Sequence, residues 1–143
     1  MSVFKPYLYG AYGSNLNKAQ MRRRCPDALS CETLVLKNHL LVFRGVADIE
    51  EAQGESVTLG LWMITDRCEK ALDRYEGFPH LYTKQFIDTA AGQIMVYTMC
   101  NQEDVCPPSY NYLESICTGY DDFAIDRQLI KPALTYSYLN EAT

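Results

Sequence analysis

The chain has 143 residues, a formal net charge of −5, 48% hydrophobic and 22% charged residues. That is the balance of one compact domain, residues 1–143, and not of a disordered chain. A negative balance excludes nucleic acid as the main partner, because phosphate binding needs clustered cations. No apolar stretch approaches the length of a membrane span, and residues 1–9 lack the charged-then-apolar layout of a secretion signal. A cytoplasmic protein without a membrane partner is expected. Six cysteines show no C-x-x-C pair, and only two histidines accompany them. No metal site is therefore expected, and most thiols read as small core residues in a reducing compartment.

In chain order, residues 7–12 predict a first strand rich in tyrosine and apolar side chains. It runs into Gly13-Ser14-Asn15 and then a helix, with Asn17 as N-cap, Gln20 three residues on, and Leu16 placed to staple against Met21. Pro26 stops that helix. Arg22, Arg23 and Arg24 point to three azimuths in its last turn, where they suit the helix dipole and read as a solvated end. Residues 34–43 and 56–64 read as strands joined by an acidic, solvated loop at 47–55.

A second helix is expected over 66–75, capped by Asp66 with Glu69. Cys68, Ala71, Leu72 and Tyr75 share one of its faces, and Gly77 stands where a left-handed cap belongs. Residues 82–89 and 93–99 predict a hairpin turning at Ala91-Gly92. Pro107-Pro108 leads to a helix opened by Ser109 and closed near Gly119. A last helical segment from Phe123 is expected to break or kink near Pro132. Strands first and helices after them give an α+β class, with a mostly antiparallel sheet curled around the core.

The junction Tyr12-Gly13-Ser14-Asn15-Leu16 has two readings. One is a tight strand-to-helix turn capped by Ser14 or Asn15. The other is a nest in which the Ser14, Asn15 and Leu16 amides face a carboxylate, phosphate or oxyanion. No G-K-[ST] follows, so it is not a Walker loop, and no G-x-S-x-G makes Ser14 a nucleophile.

This segment resembles the Y-G-S-N-L signature of γ-glutamylcyclotransferases and their superfamily. Leu72-Asp73-Arg74-Tyr75-Glu76-Gly77, followed by Tyr82, is similar to that family's L-D-x-x-E-G and the aromatic of its next strand. Pro108-Ser109, Tyr112 and Gly119 are close to its P-S-x-x-Y-…-G segment. Order and rough spacing agree over about residues 7–120. The resemblance implies a curled, barrel-like mixed sheet flanked by helices. It also implies conversion of a γ-glutamyl amide to 5-oxoproline and a free amine, without metal or organic cofactor. Glu76 would be the general acid/base. Gly13, Ser14, Asn15 and Leu16 would hold the γ-glutamyl group, with Tyr12, Tyr82 and Tyr112 lining the site.

The chemistry is intramolecular, so the site must first hold the substrate folded for attack by its own α-amine. One carboxylate can take a proton from that amine and return it to the leaving one. This needs a partly desolvated glutamate, for which Tyr75, Phe78, Pro79 and Leu81 are the expected apolar wall. The bland alternative is a surface glutamate at a helix end. Eleven tyrosines suggest half-buried pocket walls, with Tyr12, Tyr82, Tyr110 and Tyr112 as one cleft. His80 reads as solvent-facing and Cys117 as a packed small residue. Two rival functions keep the same loop: a binding protein for a small carboxylate-bearing or γ-glutamyl ligand, and a phosphate-binding hydrolase. Neither the leaving amine nor the oligomeric state is legible.

Overall fold

The computed structural model describes residues 6–141. Residues 1–5, part of the N-terminal stretch read above, lie outside them, as do 142 and 143. Five strands form one sheet in the order β2-β3-β1-β5-β4, made of β1 (Tyr7–Ala11), β2 (Leu29–Phe43), β3 (Ala47–Ile64), β4 (Tyr82–Thr89) and β5 (Gly92–Met99). All pairings are antiparallel except β1 with β5, which is parallel, so the sheet is mixed as expected. The order is linear, with β2 and β4 as edges; the sheet curls without closing. Four helices flank it: α1 (Lys18–Arg24), α2 (Asp66–Glu76), α3 (Tyr110–Asp122) and α4 (Lys131–Leu139). None is long and apolar enough to cross a membrane.

The largest departure from expectation is the stretch 47–55. It is the start of β3 and not a solvated loop: Ala47, Asp48 and Ile49 are buried, and the β2–β3 turn is Arg44-Gly45-Val46. The acidic residues that suggested a loop are divided by the strand's alternation. Asp48 points inward, while Glu51 and Glu55 are exposed. The hairpin is long enough to need an irregularity. Register shifts between Lys37 and His39, where Asn38 has φ 61° and Gly54 has φ 86°, and the Gly54 amide donates to Asn38 Oδ1 at 3.1 Å.

Helix starts follow side-chain capping. Asn17 caps α1 by accepting from the Gln20 amide, and Ser109 caps α3 by accepting from Tyr112. For α2 the cap is Thr65, which accepts from the Cys68 amide; Asp66 and Glu69 lie in the first turn, where their charge suits the dipole. Gly77 ends α2 with φ 66°, the left-handed cap foreseen. α3 continues three residues past Gly119. Pro132 opens α4 instead of kinking it, because its missing N–H falls in the first turn, where no intrahelical partner exists. A short 3-10 turn, Arg127–Ile130, precedes it.

The core packs the inner face of the sheet against α2, α3 and the Ser14–Leu16 3-10 turn that follows β1. Leu16 is fully buried there. A Cβ on Gly119 would lie 2.5 Å from Leu16 Cβ and 2.6 Å from its carbonyl carbon, and one on Gly60 would lie 2.5 Å from Leu16 Cδ2. Both glycines are close-approach positions. Gly119→Ala is therefore expected to lower unfolding stability by about 2 kcal/mol, although alanine is the better helix former by about 1 kcal/mol. The urea midpoint checks this. An unchanged or raised midpoint would mean that the turn yields at no cost.

Candidate active site

In sequence Gly13 is separated from Glu76 by α1, two strands and most of α2, and the fold returns them to one cavity. That cavity holds about 110 Å³ and is lined by Tyr9, Tyr12, Gly13, Ser14, Asn15, Val46, Ala47, Tyr75, Glu76, Leu81, Tyr82, Tyr97 and Tyr112. β1 and its turn supply one wall, the end of α2 a second, and the β2–β3 turn a third.

The turn is held from both sides. Trp62 Nε1 donates to the Asn15 carbonyl at 2.9 Å, and Ser14 Oγ lies 2.8 Å from Tyr75 Oη. Gly13 is close to its neighbours: an added Cβ would meet Tyr112 Oη at 3.1 Å and Ala47 Cβ at 3.2 Å. Of the three amides expected to be available, that of Leu16 is engaged, donating to the Gly13 carbonyl at 3.0 Å. The Ser14 amide faces the Tyr112 phenol.

One residue, Ala47 at the start of β3, fixes two tyrosines. The Ala47 amide donates to Tyr112 Oη at 3.0 Å, and Tyr82 Oη donates to the Ala47 carbonyl at 2.6 Å. Tyr12 Oη donates to the Tyr97 carbonyl at 2.6 Å, and Tyr97 Oη donates to Asp73 at 2.7 Å. Behind Ala47, the buried Asp48 accepts from Arg44 Nε, the Met99 amide and Gln102 Nε2, each at 2.9 Å. Arg44 also pairs with Glu50. This clamp ties the turn to the end of β5 and aims Ala47 at the cavity.

Glu76 is partly buried at the cavity wall and accepts from Asn15 Nδ2 at 3.1 Å. The same Nδ2 donates to Tyr9 Oη at 3.0 Å, and Asn15 Oδ1 accepts from Arg24 Nη1 at 2.7 Å. Loss of water around the carboxylate dominates its titration. Burial raises its pKa from 4.5 to about 7, against the opposing pull of Arg24 and the Asn15 hydrogen bond. The surrounding phenols are driven the other way from ionisation. Burial, with Glu76 nearby, pushes Tyr9, Tyr12, Tyr82 and Tyr112 above the ordinary phenol value. They are neutral hydrogen-bonding walls at any working pH. Among the described residues, no three His, Cys, Asp or Glu side chains gather in a metal-holding arrangement.

The fold brings Tyr12, Gly13, Ser14, Asn15, Glu76, Tyr82 and Tyr112 together. Leu16 is not with them: its side chain is in the core and its amide is bonded within the turn. Tyr110 is 74% exposed and belongs to no cleft. Phe78 and Pro79 do not line the cavity, whose apolar wall beside Glu76 is instead Val46, Leu81 and the tyrosines. His80 is exposed and Cys117 half-buried.

Sequence reasoning missed Tyr9, Val46, Ala47, Tyr97 and Arg24. Tyr9 and Ala11 flank Gly10 along a strand, and Val-Ala-Asp-Ile at 46–49 is apolar but for Asp48, a signal overridden by the acidic run. Arg24 stands four residues after Gln20 on α1, whose Oε1 it contacts at 2.6 Å, and its guanidinium lies 3.6 Å from the Tyr75 ring centre. It is not part of the solvated end formed by Arg22 and Arg23.

The raised proton affinity has a stability consequence. Below pH 4.5 Glu76 is protonated folded and unfolded alike, but between 4.5 and about 7 the unfolded chain releases the proton first. Stability contributed by the group is therefore lost as pH rises through that window. In Glu76→Gln this loss is absent. The Tm of the variant relative to the parent is expected to climb between pH 4.5 and about 7 and level off above. A pH-independent difference in calorimetry would show ordinary titration.

Comparison with known proteins places these residues in context. The sequence model described as gamma-glutamyl cyclotransferase, AIG2-like, matches residues 9–114, from Tyr9 into the first turns of α3. The chain is 30% identical to gamma-glutamylcyclotransferase of Bos taurus over 131 residues, 79% of this chain and 69% of that protein. The Mus musculus protein of the same name is 29% identical over 131 residues, with the same shares covered. Among solved structures, a gamma-glutamyl cyclotransferase superposes with a TM-score of 0.74 at 24% identity, covering 97% of this chain and 90% of that one. YkqA from Bacillus subtilis superposes with a TM-score of 0.78 at 20% identity, covering 97% of this chain and 56% of that one. At such identities the structural likeness bears on the fold.

Proposed function

The chain belongs to the gamma-glutamyl cyclotransferase, AIG2-like family, and from that premise we propose that it is an enzyme that cyclises a γ-glutamyl amide to 5-oxoproline and releases a free amine, with Glu76 as the proton-transferring group. The observation that carries this reading is the pairing of a partly desolvated carboxylate with the strand-to-turn backbone of residues 13–15 in one cavity.

In the proposed reaction, the substrate is bound with its γ-glutamyl group folded so that the α-nitrogen approaches the γ-carbonyl. Glu76 takes a proton from the α-ammonium, and the freed nitrogen attacks the γ-carbon. The Asn15 amide, with the Ser14 amide shared with the Tyr112 phenol, is a donor for the substrate carboxylate or for the oxyanion that develops. Collapse of the tetrahedral intermediate breaks the bond to the leaving amine, which receives the proton held by Glu76; the regenerated carboxylate takes the second proton from the ring nitrogen and passes it to the released amine, which departs as its ammonium. Both protons shed by the α-nitrogen pass in turn through the same group, so a single carboxylate suffices. A proton affinity near neutrality suits both halves, since the same group must accept and donate at working pH.

A cavity of about 110 Å³ lined by a carboxylate, a turn backbone and phenols suits a small polar group such as a γ-glutamyl moiety. The leaving amine would extend past Val46, Leu81 and Tyr75. Leu81 is 51% and Tyr75 is 44% exposed, which puts them at the mouth. Glu76 facing the cavity also favours turnover over simple binding, because a carboxylate binder gains nothing from a second carboxylate in its pocket. Six free cysteines suit a reducing, cytoplasmic setting.

The test is 5-oxoproline release from γ-glutamyl dipeptides, γ-glutamylamines and glutathione. Wild type is expected to release it from at least one, with kcat/KM rising with pH through about 7 as Glu76 ionises. Glu76→Gln is expected to lose at least about a hundredfold in kcat. Release that survives this substitution would remove Glu76 from the mechanism.

A further inference from the structure

Asn15 is 2% exposed, and each side of its amide is committed. Its Nδ2 donates to Glu76 and Tyr9, and its Oδ1 accepts from Arg24 Nη1. A hydroxyl can donate or accept, so Tyr9 tolerates either end of the amide. The other two partners do not. Turned end for end, the amide would set its N–H groups against the guanidinium, which has no acceptor, and its oxygen against the carboxylate. Arg24 and Glu76 thus select one orientation from opposite sides.

Arg24 is itself held for this task. Its Nη2 donates to Gln20 Oε1 at 2.6 Å, one turn back on α1, and Gln20 Nε2 donates to Ser115 Oγ at 2.8 Å. The guanidinium plane lies over Tyr75, whose hydroxyl meets Ser14 Oγ. The cation is therefore fixed by three elements, and it reaches Glu76 through a single buried amide.

We propose that Arg24 is a positioning residue for Glu76: it holds the Asn15 amide so that an N–H always faces the carboxylate, and it supplies the cation that keeps that carboxylate available as a base. Among the described residues, the titratable groups that share the cavity with Glu76 are Tyr9, Tyr12, Tyr75, Tyr82, Tyr97 and Tyr112, and Arg24 reaches it from α1. Arg24 is the cation of the set. Lysine in its place would keep the charge without the planar, two-armed contact. The proposal builds on Glu76 as the reacting base, so its test is chosen to stand apart from turnover.

That test is a direct titration of the Glu76 side-chain carboxyl by carbon-13 NMR, without substrate, in wild type, Arg24→Met and Arg24→Gln. Glutamine keeps a donor for Asn15 Oδ1 and loses the charge, and it serves as the second variant where methionine impairs folding. Removal of the cation disfavours the ionised form, so the midpoint is expected to move up from about 7 in both variants, further in Arg24→Met. For each unit of movement, kcat/KM at pH 6 on any substrate found is expected to fall about tenfold. It is expected to recover above the new midpoint. Midpoints equal to wild type in both folded variants would overturn the proposal. Should wild type release no 5-oxoproline from any compound, the reaction proposed above fails while the titration still decides the role of Arg24.

Discussion

The close approach of three chain segments at Leu16 is the constraint from which the site follows. A leucine fully enclosed between a glycine of β3 and a glycine of α3 leaves the Ser14–Leu16 turn no freedom to rotate. Packing of this density is what makes a short loop as rigid as a helix. With the side chain of Leu16 directed inward, the preceding Gly13, Ser14 and Asn15 are forced toward the opposite side, where the end of α2 and the β2–β3 turn meet. The residue that carries the family's signature leucine therefore acts through shape. It contributes no contact to the cavity, and its importance lies in aiming the three residues that do.

A second constraint acts from the far side of the cavity. Asp48 is buried with three hydrogen-bond donors around it, an arrangement that satisfies the carboxylate. Its consequence is local order at Ala47, and through Ala47 at Tyr82 and Tyr112. A hairpin tip of this length would be mobile if solvated. Tied to Met99 and Gln102, it becomes a wall. The two constraints meet at Gly13, where any side chain would strike both Tyr112 and Ala47.

How much of this the sequence disclosed depended on the range of the interaction. Features set within a few residues were legible: the Asn17 and Ser109 caps, the left-handed Gly77, the β4–β5 hairpin, and the motif positions of Glu76 and Asn15. The β2–β3 hairpin was misread because three acidic residues lie close together near its tip, and charge density outweighed a short apolar signal confined to Val46, Ala47 and Ile49. What made Asp48 an inward residue is a set of donors fifty positions away, which no local pattern contains. Arg24 was hidden for the same reason. In sequence it is one of three consecutive arginines; only the position of Tyr75 and Asn15 in space distinguishes it from its two solvated neighbours.

The composition of the cavity explains why tyrosine is preferred there over phenylalanine. A wall of phenylalanines would desolvate Glu76 further and leave the turn backbone without side-chain partners. Each tyrosine here places its hydroxyl on a backbone or side-chain group: Tyr12 on a carbonyl of β5, Tyr82 and Tyr112 on the two ends of Ala47, Tyr75 on Ser14, Tyr9 on Asn15. The rings exclude water while the hydroxyls hold the frame. Because Tyr9, Tyr12, Tyr82 and Tyr112 resist ionisation, they add dipoles without adding charge, and the field at Glu76 is left to one guanidinium acting through one amide. A carboxylate in such a setting stands between two opposing effects, loss of hydration, which is the larger, and attraction to a fixed cation. Either effect acting alone would commit the group to one protonation state; their opposition leaves the proton free to be carried.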